Sequence, residues 1–171
     1  MRALVVYQSK TGFTKKYAQW VKEALGGELT EAKNLKNFDL AQYDVLVYGG
    51  YCHAGMIAGV KKFMKIALPL KKKTAVFAVG ASPAENPEID VAMRKNFTDE
   101  QWAAVKAFYC PGGLCYENMG AMDKMLMSMF RAMTKKTEGE DSEMYRMLCQ
   151  SYDLSDKKYI EPLVLYCREE A

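Results

Sequence analysis

The sequence is poor in the residues that build metal centres and disulfide frameworks. It contains one histidine and five cysteines in 171 residues, and no two cysteines stand in Cys-x-x-Cys spacing. An odd number of cysteines without that spacing argues against a zinc site and against a disulfide-stapled secreted fold. We therefore expect no bound metal and a reducing, cytoplasmic environment.

Long apolar runs and a strong charge of either sign are also missing. No apolar run is long enough to span a bilayer, and because Met1-Arg2-Ala3 leads directly into a strand pattern, we expect no cleavable signal. The net charge of +3 comes from scattered basic residues and is too weak to indicate nucleic-acid binding. Half of the residues are hydrophobic and 26% are charged, which is typical of a globular protein with a full core. We expect one domain over residues 1–171.

The most informative motif is Ser9-Lys10-Thr11-Gly12-Phe13-Thr14, between an apolar strand pattern at 3–7 and a helical pattern at 15–25. Backbone N–H groups at a helix start carry partial positive charge, the three hydroxyls can donate to phosphate oxygens, and glycine permits close approach. The motif is neither a P-loop nor a G-x-G-x-x-G fingerprint, so it suits a terminal phosphate monoester better than a pyrophosphate. The alternative is that Thr11 or Thr14 simply caps the helix.

Strand and helix patterns alternate along the chain. Apolar strand patterns occur at 3–7, 28–32, 45–48, 74–79 and 107–110. Helical patterns occur at 60–67 and, as a closing helix, at 155–169. A further helix is predicted to begin at a Thr98–Gln101 capping box, with Trp102, Val105 and Phe108 on one face. The fold class predicted is α/β, a doubly wound five-stranded parallel sheet in the order 2-1-3-4-5 with helices on both faces. Loops 9–14, 49–55 and 80–86 would then form one pocket at the carboxyl ends of the strands.

These motifs resemble the flavodoxin family, FMN-binding domains of similar organisation, over essentially the whole chain. Residues 9–14 match that family's S/T-x-T-G-x-T loop for the FMN phosphate. Residues 43–50 resemble the strand that leads into its first flavin-ring loop, and Val79-Gly80-Ala81-Ser82 resembles the start of the second. The resemblance implies a flavodoxin-like fold and non-covalent FMN, with the ring between loops 50–55 and 80–86. It implies these cofactor-binding residues: Ser9, Lys10, Thr11, Gly12, Phe13, Thr14, Gly50, Tyr51, Cys52, His53, Ala54, Gly80, Ala81, Ser82 and Pro83.

Three side chains of the first ring loop have candidate roles. Tyr51 is the first candidate for stacking on the ring, and otherwise an ordinary rim tyrosine. His53, the only histidine, is the candidate catalytic residue as a proton donor or a charge beside the flavin, and otherwise an exposed loop residue. We expect Cys52 to be a small packing residue and not a nucleophile.

A Met-rich helical segment precedes the last helix, and residues 113–150 are expected to be an insertion or an extended segment. Met122, Leu126, Met129, Phe130 and Met133 recur at helical spacing, whereas Met127 lies with Lys124 and Arg131 on the polar side. The stripe either packs on the sheet as core or forms an adaptable apolar surface. Such a surface would suit a flat apolar substrate, a quinone or the edge of a membrane.

This segment resembles a narrower group, the flavodoxin-like menaquinone-dependent protoporphyrinogen IX dehydrogenases. The matching stretches are 113–116, 119–136 and 137–140. The resemblance implies an FMN oxidoreductase that moves electrons between a small or planar substrate, of quinone or porphyrinogen type, and another acceptor. The alternatives are an electron-carrier flavodoxin that docks on protein redox partners, and a flavin-free scaffold. Carriers tend to be strongly acidic, so 24 Lys and Arg against 21 Asp and Glu favour the oxidoreductase.

Overall fold

The computed structural model describes residues 1–169. Its first six strands are β1 (Ala3–Gln8), β2 (Glu28–Glu31), β3 (Val45–His53), β4 (Met56–Ile57), β5 (Lys73–Gly80) and β6 (Lys106–Pro111). The five long ones form a parallel sheet in the order β2-β1-β3-β5-β6, and β4 pairs antiparallel with the end of β3. The predicted α/β fold with a 2-1-3-4-5 sheet is therefore confirmed.

Seven helices belong to the fold within the described residues: α1 (Phe13–Leu25), α2 (Val60–Ala67), α3 (Glu88–Arg94), α4 (Asp99–Ala104), α5 (Ala121–Glu138), α6 (Glu143–Leu148) and α7 (Glu161–Arg168). Buried side chains of α1 and α7 pack on one face of the sheet, and those of α2 and α3 on the other. Because both faces are covered, β1, β3 and β5 are almost continuously buried, as their apolar runs predict.

Helix α1 has the apolar face and the stop signal that its sequence predicts. Tyr17, Ala18 and Val21 are fully buried against the sheet. Gly26 ends the helix in the left-handed conformation at φ 63°, where its N–H donates to a carbonyl of the last turn. The chain then enters β2 at the edge of the sheet.

Two helix boundaries differ from the prediction. The capping box of Thr98 and Gln101 is present, with N–H···O distances of 3.1 and 3.2 Å. Helix α4 nevertheless ends at Ala104, and Phe108 lies in β6 opposite Phe77, so the predicted helical face was wrong. Pairing with β5 overrides the helical spacing there. The closing α-helix begins at Glu161, not at 155, because a 3₁₀ turn precedes it and Pro162 lies in its first turn.

The segment between β6 and α7 leaves the sheet and returns to nearly the same point. It starts with β7 (Gly113–Leu114), continues through a 3₁₀ turn, α5 and α6, and ends with β8 (Tyr152–Asp153), which pairs antiparallel with β7. Helix α5 packs on α6. Met122, Met129 and Met133 remain 57–66% exposed, so the interpretation of the apolar stripe as core was wrong. Within residues 1–169, no helix combines the length and the apolar character needed to cross a bilayer.

Candidate functional site

A cavity of about 680 Å³ opens at the carboxyl edge of the sheet, beyond β1, β3 and β5. This volume is in the range of small-molecule and cofactor sites. The cavity brings together most of the predicted site residues: Lys10, Thr11, Phe13, Thr14, Tyr51, Cys52, His53, Ala54, Gly80, Ala81 and Ser82. Four predicted residues are not in its lining. Gly50 is paired inside the sheet, Pro83 is exposed in the loop after β5, and Ser9 and Gly12 belong to the first loop.

The first wall of the cavity is the loop that leads into α1. Gly12 is the residue before the helix, and its φ of 108° is a conformation that side-chain-bearing residues rarely adopt. No side chain caps the helix, so the interpretation of Thr11 or Thr14 as a cap was wrong. The first turn carries no acidic residue, and Thr14 is buried at the cavity. The Oγ atom of Ser9 is buried and has no hydrogen-bond partner within residues 1–169. An uncapped helix start beside an unsatisfied hydroxyl fits an anionic phosphate group.

Two polar contacts tie this loop to the segment at 116–123. Lys10 Nζ lies 2.6 Å from Asp123 Oδ1 in α5, and this hydrogen bond raises the pKa of Lys10. Asn118 Nδ2 donates to the Thr11 carbonyl at 3.2 Å. The Lys10 ammonium is therefore paired with the Asp123 carboxylate. This pairing fixes the position of the Lys10 side chain along the cavity.

The second wall is the hairpin between β3 and β4. Its two turn residues, Ala54 and Gly55, have positive φ values of 47° and 76°, as two-residue hairpin turns require. The turn places Tyr51 and Cys52 half-buried along the cavity and His53 exposed at its rim. Burial raises the pKa of the Cys52 thiol to about 11, which fits a packing residue better than a nucleophile. Nowhere between residues 1 and 169 do three or more His, Cys, Asp or Glu side chains gather in an arrangement that could hold a metal ion.

The third wall is the loop after β5. Two tyrosines that were not predicted from the sequence hold this loop in place. Tyr109 Oη donates to the Ser82 carbonyl at 2.8 Å, and Tyr152 Oη donates to the Ala81 carbonyl at 2.9 Å. Burial raises the pKa of both phenols, so both remain donors at physiological pH. They come from β6 and β8, and no spacing in the sequence relates them to residues 80–82.

The fourth wall is apolar and belongs to the segment between β6 and α7. It consists of Leu114, Met119, Leu126, Met127 and Phe130. The position predicted for Met127, on the solvent side of the helix, was wrong, since Met127 is half-buried against the cavity. The inward face of α5 runs through Asp123, Met127, Phe130 and buried Thr134, at helical spacing. The Lys10 contact and Thr134 orient the helix, and neither belongs to the apolar pattern.

The sequence as a whole matches a known family. A family model described as a flavodoxin domain matches residues 4–141. No curated protein matches the chain.

Three solved structures illustrate the likeness. A flavoprotein from Lactobacillus acidophilus in complex with FMN is 18% identical, with a TM-score of 0.49, over 64% of this chain and 91% of that one. A flavodoxin from the domain Archaea is 20% identical, with a TM-score of 0.46, over 69% and 88%. The apo form of the NADH:FMN oxidoreductase EMOB is 15% identical, with a TM-score of 0.46, over 64% and 75%.

Proposed function

Because the chain belongs to the flavodoxin-domain family, we propose that it is an oxidoreductase that moves electrons between a small or planar substrate, of quinone or porphyrinogen type, and another acceptor. Its cofactor is FMN. When bound, FMN supplies the electron-transfer chemistry, and the residues of the chain bind, orient and shield it.

We assign the phosphate to the loop at 9–14. Ser9, Thr11 and Thr14 supply hydroxyl donors there, and the uncapped start of α1 supplies backbone N–H groups. The missing acidic residue in the first turn supports the assignment, since a carboxylate at that point would repel a phosphate.

We assign the ring to the space between the β3–β4 hairpin and the loop at 80–82. Tyr51 is the stacking residue of this proposal, because it is half-buried on the cavity side of the hairpin. His53 is the proposed proton donor, because it stands exposed at the rim, where protons exchange with water. The carbonyls of Ala81 and Ser82 are already bonded to tyrosines, so that loop is held as a rigid wall.

The observation that carries the proposal of a planar, apolar substrate is the wall of α5. Leu126, Met127 and Phe130 of α5, with Met119 just before the helix, line the same cavity as the two ring loops. Flexible thioethers and an aromatic ring provide a surface on which a flat apolar molecule can pack while water is excluded. A carrier that passes electrons to a docked protein has no need of such a wall, and the net charge of +3 lacks the acidic steering surface of a carrier.

We further propose that residues 113–150 are an insertion into a single domain, and that the insertion exists to build this wall. The segment begins with β7 and is followed by β8, and these two strands pair, so the segment can be lengthened without disturbing the sheet. We place the reaction in the cytoplasm. The exposed outer methionines of α5, led by Met122 and Met129, are where we place a peripheral contact with a membrane edge.

The test compares acceptors under anaerobic conditions. The purified protein should be yellow or bind FMN stoichiometrically, and after reduction it should be reoxidised rapidly by a soluble quinone or support porphyrinogen oxidation. Met127→Glu, which puts a carboxylate into the apolar wall, should lower this rate more than tenfold. Met129→Glu, on the exposed side of the same helix, is the matched control and should keep the parent rate. Reoxidation only by a protein redox partner, with equal behaviour of both variants, would favour the electron carrier instead.

A further inference from the structure

A second groove, apart from the main cavity, runs between α2 and the 3₁₀ helix Ala32–Asn37. Its volume of about 380 Å³ is within the range of small-molecule sites. The groove and the main cavity share no lining residue, so each can be occupied without the other. Neither the sequence motifs nor the proposed function accounts for this groove.

One half of the groove is apolar and firmly packed. Its lining includes Leu35, Phe38, Tyr48, Phe63 and Ile66. The rings of Tyr48 and Phe63 are stacked with their centroids 4.7 Å apart, and Tyr48 Oη donates to the Ala58 carbonyl at 2.7 Å. Ile66 of α2 is 49% exposed. A stacked aromatic floor beside an exposed isoleucine is a preformed surface for an apolar group.

The other half of the groove is polar. A neighbouring cavity of about 420 Å³ continues the groove toward the end of β1, and the two share the lining residues Gln8, Ala32, Lys33 and Lys62. Glu31 also lines the neighbouring cavity, but its carboxylate is paired with Lys33 Nζ at 2.6 Å. Lys36 and Lys62, which line the groove, form no ion pair within residues 1–169. The groove therefore carries uncompensated positive charge.

The surrounding surface adds to this charge. Residues 32–73 contain eight lysines and two aspartates, a net charge of +6, whereas the whole chain has +3. The remaining residues together are therefore negative. Lys61 and Lys65 are exposed on α2, outside the lining of either part of the groove. An anion is consequently attracted to this face more than to the rest of the molecule.

We propose that the groove binds an amphipathic organic anion, with its apolar body on the floor of Tyr48 and Phe63 and its anionic head beside Lys62. Removal of the body from water favours binding, and the ammonium groups of Lys62 and Lys36 offset the cost of desolvating the head. A neutral apolar molecule would make no use of the lysines, and an inorganic anion would make no use of the aromatic floor. A bilayer surface fits less well, because the apolar half is concave and Ile66 is the one strongly exposed apolar side chain among its lining residues.

The experiment uses the full chain with hexanoate as the probe, and 1-hexanol and acetate as comparison molecules. Hexanol has the apolar body without the charge, and acetate has the charge without the body. Backbone amide chemical shifts of the 3₁₀ helix and of α2 report both the Kd and the location of the probe. The titrations are made at an ionic strength of about 0.15 M, where a Debye length of about 8 Å limits the influence of lysines outside the groove.

Lys62→Glu is compared with Lys65→Glu, which makes the same change of charge in the same helix outside the groove. Lys62→Gln takes the place of Lys62→Glu if the latter does not fold. Ile66→Ser removes apolar surface without changing the charge.

We expect hexanoate to shift the amides of both helices with a Kd at least fivefold lower than that of hexanol or acetate. Lys62→Glu should raise the Kd for hexanoate tenfold or more, because an attraction becomes a repulsion. Lys65→Glu should raise it no more than about threefold. Ile66→Ser should raise it severalfold. Saturation with FMN should leave it unchanged, since the main cavity shares no residue with the groove.

Each of four results would overturn the proposal. Displacement of hexanoate by FMN, or shifts confined to α5, would place the probe outside the groove. An equal Kd for hexanol would mean an apolar cleft without an anion site, and an equal Kd for acetate would mean surface lysines alone. Equal losses in Lys62→Glu and Lys65→Glu would show a diffuse effect of charge. None of these results depends on whether the protein carries FMN as its cofactor.

Discussion

The phosphate assignment leads to a sharp prediction at Thr14. This residue is 1% exposed, is the second residue of α1, and lines the cavity beside the uncapped helix start. Thr14→Val keeps the branched shape and removes one hydroxyl. A hydrogen bond to a charged group contributes about 1.5–3 kcal/mol. Since about 1.4 kcal/mol corresponds to tenfold in affinity, the Kd for FMN should rise roughly 10- to 150-fold.

The control is a threonine that is equally buried but far from the cavity. Thr74, at the amino-terminal end of β5, is 3% exposed and donates to the Lys72 carbonyl at 2.9 Å. Thr74→Val should lose about 1 kcal/mol of unfolding free energy and keep its FMN affinity. Thr14→Val should unfold in urea at nearly the parent midpoint when FMN is absent.

Quenching of FMN fluorescence on titration, at fixed ionic strength, measures the Kd of each variant. Adding Thr11→Val to Thr14→Val removes a second donor and should weaken binding by a similar further factor. If Thr14→Val stays within about threefold of the parent Kd, the phosphate does not bind at this helix start. The reasoning from the loop at 9–14 would then be refuted, whatever the fate of the ring assignment.

Three further predictions concern aromatic and thiol groups. Tyr51→Ala should alter the absorbance spectrum and the midpoint potential of bound FMN, whereas an unchanged spectrum would make Tyr51 a rim residue. Tyr17 donates to the Pro111 carbonyl at 2.6 Å and accepts from the Asp156 N–H at 3.1 Å, so Tyr17→Phe should lower the unfolding free energy by about 1–3 kcal/mol in urea titrations and leave the spectrum alone. At a pKa of about 11, about one Cys52 thiol in a thousand is ionised at pH 8. Thiol reagents should therefore label the exposed Cys149 well before Cys52. Rapid labelling of Cys52 in the folded protein would contradict its burial.

The parts of the fold that follow from local sequence could be predicted. β1, β3 and β5 are strands buried on both faces. A strand of this kind is recognised by its continuous apolar run, whichever strands pair with it. The stop of α1 at Gly26 could also be read, because it depends on the conformation of one residue. The loop motif at 9–14 could be located for the same reason, since its turn and its helix start are local.

Elements whose state depends on a distant partner were predicted less well. The strand predicted at 107–110 is present, but the helical spacing of Val105 and Phe108 wrongly placed both on the face of α4, because pairing with β5 holds residues 106–111 in the sheet. The orientation of α5 was missed because Lys10, which holds its Asp123, is far away in sequence. Of the predicted apolar stripe, Met122, Met129 and Met133 therefore face solvent, whereas Leu126 and Phe130 line the cavity together with Met127.

The sequence by itself determined the sheet order, the stop of α1, and the three loops that converge at one edge of the sheet. Each of these depends on hydrophobic period, turn residues or the rule that parallel strands end on the same side. Only the tertiary structure decided what closes and holds the pocket: the apolar wall of α5, the tyrosines from β6 and β8 on the loop at 80–82, and the Asn96 amide, which donates to the Gly55 carbonyl of the β3–β4 hairpin. Several of these contacts join a side chain to a backbone carbonyl tens of residues away. A hydrogen bond across that separation produces no repeating spacing in the sequence from which it could be predicted.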